Sequence, residues 1–185
     1  MLVADTSRKP ESYDMEPFKG HPGVYILSPA GQNDEEPHII FYKRLHEIFD
    51  RYSFSREEAE ARQEIYEELR YVDFFHPETR FGIYEITEGE GRFSIDSLMP
   101  RLSNDIRTLR RKKMRKMMLE KVEIGIGVLK DFDRKMHPDV GVYNWGIDGK
   151  EPYFLDMEVI LNSDYMRKES IDNIVREQLG FERVQ

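Results

Sequence analysis

A chain of 185 residues and 22.1 kDa is long enough for one compact domain and too short for two full ones. Hydrophobic residues supply 39% and aromatic residues 12%, enough for a core, so the 35% of charged residues describe a solvated exterior and exclude a disordered chain. The net charge of −8 excludes a surface that binds nucleic acid or anionic lipid over its whole extent, and the lack of cysteine excludes disulfides, thiolate nucleophiles and cysteine zinc sites together.

Met1 to Pro10 has no apolar stretch of the kind a secretory leader needs, and no apolar run approaches the roughly 18 residues of a spanning helix. The expectation is a soluble, cytoplasmic protein with no membrane span. Residues 1–19, rich in Pro, Glu, Ser and Asp, read as an irregular arm, closed by Gly20-His21-Pro22-Gly23. Val24–Leu27 and His38–Lys43 then predict a hairpin around a turn-rich loop over Ser28–Pro37. Ser55 and Glu58 have capping-box spacing, and Ala61, Ile65 and Leu69 recur on one face, which predicts an amphipathic helix from Arg56 to about Arg70. Arg80–Ile86 and Arg92–Leu98 predict a second hairpin.

From Ser103, an N-cap by chemistry, to Met136 the apolar spacing is helical and predicts two helices joined near Arg111. Val140–Tyr143 and Tyr153–Leu155 are β-type runs separated by the turn Asp148-Gly149-Lys150, and a last helix follows Ser170 and stops at Gly180. The layout is α+β: an arm over 1–19, sheet and helix over 20–100, and a mainly helical part over 101–185, in one compact unit.

The chemistry is concentrated in His137-Pro138-Asp139-Val140-Gly141-Val142-Tyr143-Asn144, with the spacing H-x-D-x-x-x-x-N, followed across a hairpin by Asp156 in Phe154-Leu155-Asp156-Met157-Glu158. The set resembles the catalytic loop and metal-binding Asp of protein kinases and aminoglycoside-phosphotransferase-like enzymes. The resemblance implies a kinase-like fold in minimal form, with a small antiparallel N-terminal sheet carrying one helix and a reduced, mainly helical C-terminal lobe. It also implies a phosphotransferase that uses ATP and magnesium. Phosphoryl transfer to a hydroxyl needs a carboxylate beside the incoming hydroxyl and hard oxygen ligands for magnesium. Asp139 takes the first role in this resemblance, and Asn144 and Asp156 the second.

Other positions follow from the same resemblance. Lys43, at the end of its strand, stands where the family keeps its phosphate-contacting Lys, with Arg44 as its rival. Glu64 is the carboxylate to pair with it, with Glu60, Glu67 and Glu68 competing. Met99 and Arg101, in Leu98-Met99-Pro100-Arg101-Leu102, stand where the hinge binds adenine.

The sequence departs from the pattern at the Gly-rich loop, of which Gly20-His21-Pro22-Gly23 is at best a remnant. It departs again at Gly141, where protein kinases keep a Lys, and at Pro138, where they keep an Arg. The residues after Asp156 are too few for a full activation segment and peptide platform.

Arg107, Arg110, Arg111, Lys112, Lys113, Arg115 and Lys116 form a basic run interleaved with Met114, Met117 and Met118. It reads as a solvated helix face with Met as core filler, or as a docking site for an acidic partner, anionic lipid or nucleic acid. His21, His38, His46 and His76 show no paired metal-ligand spacing. Two further readings stand beside the phosphotransferase acting on a protein or small-molecule hydroxyl. One is a weakly active or inactive kinase-like module (a pseudokinase) that works by binding a protein partner. The other is a basic-helix nucleic-acid-binding protein whose motif is accidental.

Overall fold

The computed structural model describes residues 13–29, 40–48, 52–161 and 171–182. Residues up to 12, most of the loop expected over 28–37, and His38 and Ile39 at the start of the second expected strand lie outside them. The chain divides into two units, Met1–Glu67 with Glu78–Arg101, and Glu68–Pro77 with Leu102–Gln185. No described helix is long and apolar enough to cross a membrane.

The first unit is built on an antiparallel sheet of β1 (Tyr13–Pro17), β2 (Val24–Pro29), β3 (Ile40–Arg44), β4 (Arg80–Glu85) and β5 (Phe93–Pro100), in the order β1-β2-β3-β5-β4. β1 lies inside the stretch read from sequence as an irregular arm. Tyr13 and Met15 turn inward while Asp14 and Glu16 face solvent, an alternation too short to stand out among Pro and acidic residues. As an edge strand it tolerates Pro17 at its end.

β3 runs into the single helical turn α1 (Leu45–Ile48), and α2 (Arg56–Tyr71) follows. The Ser55 hydroxyl accepts the Glu58 amide at 3.2 Å, so the capping residue is the one the spacing indicated. Ala59, Ile65 and Tyr66 are buried, and Tyr66 stacks on Phe81 of β4 with centroids 4.9 Å apart. α2 therefore covers the Phe81 face of the sheet. Directly opposed residues share a face, so the row Val24, Lys43, Ser97 and Phe81 lies on the α2 side, and the row Arg44, Asp96 and Gly82 lies on the other.

Gly23 explains part of the turn that precedes β2. Its φ is +68°, and a Cβ there would lie 2.7 Å from the Ile48 nitrogen and 2.9 Å from the Arg44 carbonyl oxygen. Its own carbonyl accepts the Arg44 amide at 2.8 Å. This glycine serves close backbone approach between β2 and α1. Gly23→Ala is expected to destabilise the protein by about 1–3 kcal/mol, lowering Tm by roughly 2–4 °C per kcal/mol. Thermal denaturation checks this, and an unchanged Tm would contradict it.

In the second unit α3 (Ile106–Leu109) is capped by Asp105, whose carboxylate accepts from the Arg107 amide at 3.0 Å and the Thr108 hydroxyl at 2.7 Å. Ser103, the cap expected from sequence, has its backbone engaged in an antiparallel bridge to Ile147. α4 (Lys112–Asp131) ends before Met136, because Asp133 adopts φ +54° and the Arg134 amide turns back to the Leu129 carbonyl at 2.8 Å. A short polar side chain tolerates that conformation without glycine.

The chain then enters β6 (Lys135–Met136), which pairs with β9 (Ile160–Leu161); between them β7 (Trp145–Asp148) and β8 (Glu151–Phe154) form a hairpin. The strand expected over Val140–Tyr143 is instead a 3-10 turn over Val142–Asn144, closed by the Asn144 amide on the Gly141 carbonyl at 3.0 Å. α5 (Ile171–Gln178) stops at Gly180, φ +73°, as its sequence indicated. The core gathers Phe74, Trp145 and Phe154, with centroids 5.0–5.8 Å apart, beneath the buried Met118, Val122 and Leu129 of α4.

Candidate active site

The loop His137–Asn144 is held at several backbone points in the second unit. The His137 amide donates to the Val159 carbonyl at 2.8 Å, and Pro138 is buried behind it. The Val140 amide donates to the Gln178 side-chain carbonyl of α5 at 2.8 Å and to the Pro138 carbonyl at 2.9 Å. The Val140 carbonyl accepts the indole N–H of the fully buried Trp145 at 3.0 Å. A loop fixed by its backbone can leave Asp139 exposed without losing its position.

Asp139 and Asn144 are hydrogen-bonded to each other, and Asp156 is joined to them through the backbone of the residue before it. The Asn144 side-chain amide donates to the Asp139 carbonyl at 3.1 Å, and the Asn144 carbonyl accepts the Leu155 amide at 2.8 Å. Asp156 is the next residue. It is half-buried, and one of its carboxylate oxygens accepts the Glu158 amide at 3.1 Å. The Asn144 side chain carries an amide oxygen beside its engaged nitrogen, and Asp156 carries a carboxylate. Both are hard oxygen donors of the kind magnesium accepts. Among the described residues no group of three or more His, Asp or Glu side chains could hold a metal ion.

His137 supports the same loop. Its Nδ1 faces the Asp139 amide at 3.2 Å, and its Nε2 lies 4.0 Å from the carboxylate of the buried Glu158. Trp145 and Gln178, which hold the loop from behind, were not singled out from sequence. The only tryptophan of the chain, immediately after the motif, was the available signal.

The remaining sequence candidates lie in the first unit. Lys43 is half-buried on the sheet face that α2 covers, and its rival Arg44 points to the opposite face. Glu64 is exposed on α2, and Glu67, three residues on, is half-buried. Met99 is buried within β5 opposite Phe41, and Arg101 is exposed just after that strand.

The face that carries Arg44 holds a polar cluster that no motif announced. The Tyr42 hydroxyl donates to Asp96 at 2.8 Å, Arg44 and the Tyr25 hydroxyl both meet Glu47 of α1, and the Arg44 guanidinium lies 4.6 Å from the Tyr84 ring centroid. Burial raises the Asp96 carboxyl above its ordinary 3.8, against the lowering effects of Tyr42 and Arg44. A raised folded-state value means that the native protein binds more protons than the unfolded chain above pH 3.8, so stability falls as pH rises through that window. Relative to Asp96→Asn, whose own cost does not depend on pH, the wild-type Tm is expected to decline as pH rises from 3.8 and then level off. The opposite slope would show that the pairing outweighs the burial.

No protein-family model matches this sequence, and no curated protein matches it.

Proposed function

We propose that this chain is a minimal kinase-like phosphotransferase that moves a phosphoryl group from ATP, with magnesium, to a hydroxyl of a protein or small molecule. The observation that carries this reading is the pair of bonds at Asn144, to the Asp139 carbonyl at 3.1 Å and from the Leu155 amide at 2.8 Å. They tie the backbone at Asp139 to the Asn144 side chain and the Asn144 backbone to the residue before Asp156, which supports reading the H-x-D-x-x-x-x-N spacing and the following Asp as one loop-and-hairpin unit. The antiparallel sheet in the order β1-β2-β3-β5-β4, with α1 and α2 between β3 and β4, supports the reading of a small N-terminal sheet that carries a helix.

In this reading Asp139, exposed at the loop tip, orients the acceptor hydroxyl and takes its proton. Asn144 and Asp156 would hold magnesium, which when bound neutralises charge on the phosphates. Within the first unit the resemblance assigns phosphate contact to Lys43, with Glu64 or the more buried Glu67 as its carboxylate, and adenine to the segment from Met99 to Arg101. A second reading, a pseudokinase-like module acting through a protein partner, is favoured by Gly23, whose close packing against α1 is structural.

Thermal denaturation with millimolar ATP and magnesium, paired with a phosphate-transfer assay, separates the two. Stabilisation with turnover supports the enzyme, stabilisation alone supports the module, and a protein that shows neither stabilisation nor turnover is not an ATP-using phosphotransferase.

A further inference from the structure

The basic run has no part in the chemistry proposed above, and the structure sorts its members. Arg115 is internal: its guanidinium donates to the Leu179 and Gly180 carbonyls at 3.0 and 3.1 Å and lies 5.6 Å from the Phe181 ring centroid. Lys116 pairs with Glu120 at 3.6 Å. Arg107, Arg110, Arg111, Lys112 and Lys113 are all exposed, with no ion pair among the described residues. Leu109 among them and Met114 just after them are buried, so the cations occupy the outer side of α3, the following turn and the first turn of α4.

Stability does not account for this arrangement. Five cations sit within seven residues, and the first turn of α4 holds no acid. Like charges repel there, and the helix dipole disfavours cations at that end. The cost is recovered if the charges serve a polyanion.

The chemistry of that polyanion is narrowed by Tyr143. It is 63% exposed, one of few large aromatic or aliphatic side chains so open among the described residues. The Arg110 guanidinium donates to its hydroxyl at 2.7 Å and lies 5.7 Å from its ring centroid, and Asn104 donates to its carbonyl at 3.1 Å. An exposed aromatic ring, oriented by its neighbours and set beside clustered cations, is the combination that binds single strands, with phosphates on the cations and a base stacked on the ring. An acidic peptide would use the cations and leave the ring without purpose. We propose that Arg107, Arg110, Arg111, Lys112, Lys113 and Tyr143 form a docking surface for single-stranded nucleic acid. The proposal does not depend on the phosphotransferase reading.

Fluorescence anisotropy with a fluorescein-labelled fifteen-nucleotide oligo(dT) and its oligo(U) counterpart tests it. Binding is expected to weaken with salt at a slope of about −0.7 per neutralised phosphate in a log–log plot, so that four or five contacts cost roughly a hundredfold between 50 and 200 mM salt. Arg111→Glu with Lys113→Glu should abolish binding. These changes place acids near the start of α4, where they favour the helix, so an unchanged Tm accompanies the loss. Tyr143→Ala should weaken binding by about fivefold to a hundredfold with the salt slope unchanged, and Tyr143→Phe should retain most of it. Absence of binding at 50 mM salt, or binding indifferent to the charge reversals, overturns the proposal. So does a Tyr143→Ala protein that binds normally while poly-glutamate displaces the oligonucleotide at equal charge, which would assign the surface to an acidic protein segment.

Discussion

Asp139→Asn is expected to lower phosphoryl transfer by about a hundred- to ten-thousandfold while ATP and magnesium still bind, because a positioned base contributes that much and Asp139 is assigned to the acceptor side. The substitution suits this purpose. Asp139 is exposed, its carbonyl is what accepts the Asn144 amide, and its own amide faces His137, so none of the bonds that hold the loop uses its carboxylate. Asparagine keeps the shape and removes the proton acceptor. Turnover and nucleotide affinity, measured on the same preparation, should therefore separate. Equal turnover by wild type and variant would remove Asp139 from the chemistry. The reading would then pass to the partner-binding module.

The second large effect is expected at Asp156. Nucleotide held only by the native state stabilises it by about 2.7 kcal/mol at a hundred times Kd, which for a chain of this size is a rise in Tm of roughly 5–10 °C. Asp156→Ala should abolish most of that rise and reduce turnover with it, since this carboxylate is assigned to the metal. Its cost without nucleotide should be small. Asp156 is half-buried near the surface of a turn, and a bond its carboxylate accepts, from the Glu158 amide two residues on, is local and worth about 1 kcal/mol. A full ATP-dependent shift in the variant would exclude Asp156 as the ligand. A variant destabilised by several kcal/mol without nucleotide would show that the residue is structural.

Local order determined much of what could be read in advance. The Ser55 cap and the spacing of Ile65 and Leu69 located α2, β-rich runs bounded by turn residues located β2 to β5, and Gly180 marked the end of α5. In each case the signal and the interaction lie within a few residues of each other, so the sequence carries both. The spacing of Asp139, Asn144 and Asp156 was legible for the same reason, since one turn and one hairpin join them.

Long-range partners decided the rest. Ser103 lost the capping role to Asp105 because Ile147 claimed its backbone, and Val140–Tyr143 did not become a strand because Trp145 and Gln178 hold the loop in another shape. β1 exists because β2 offers it an edge, although its own composition argues for irregular structure. The faces of Lys43 and Arg44, adjacent in sequence, were assigned only by the register of β3 against β5. Tertiary packing likewise turned Arg115 inward and left Tyr143 outside beside Arg110, a juxtaposition across 33 residues. A sequence states which side chains are present, but burial and hydrogen bonding between distant segments determine which remain available for chemistry.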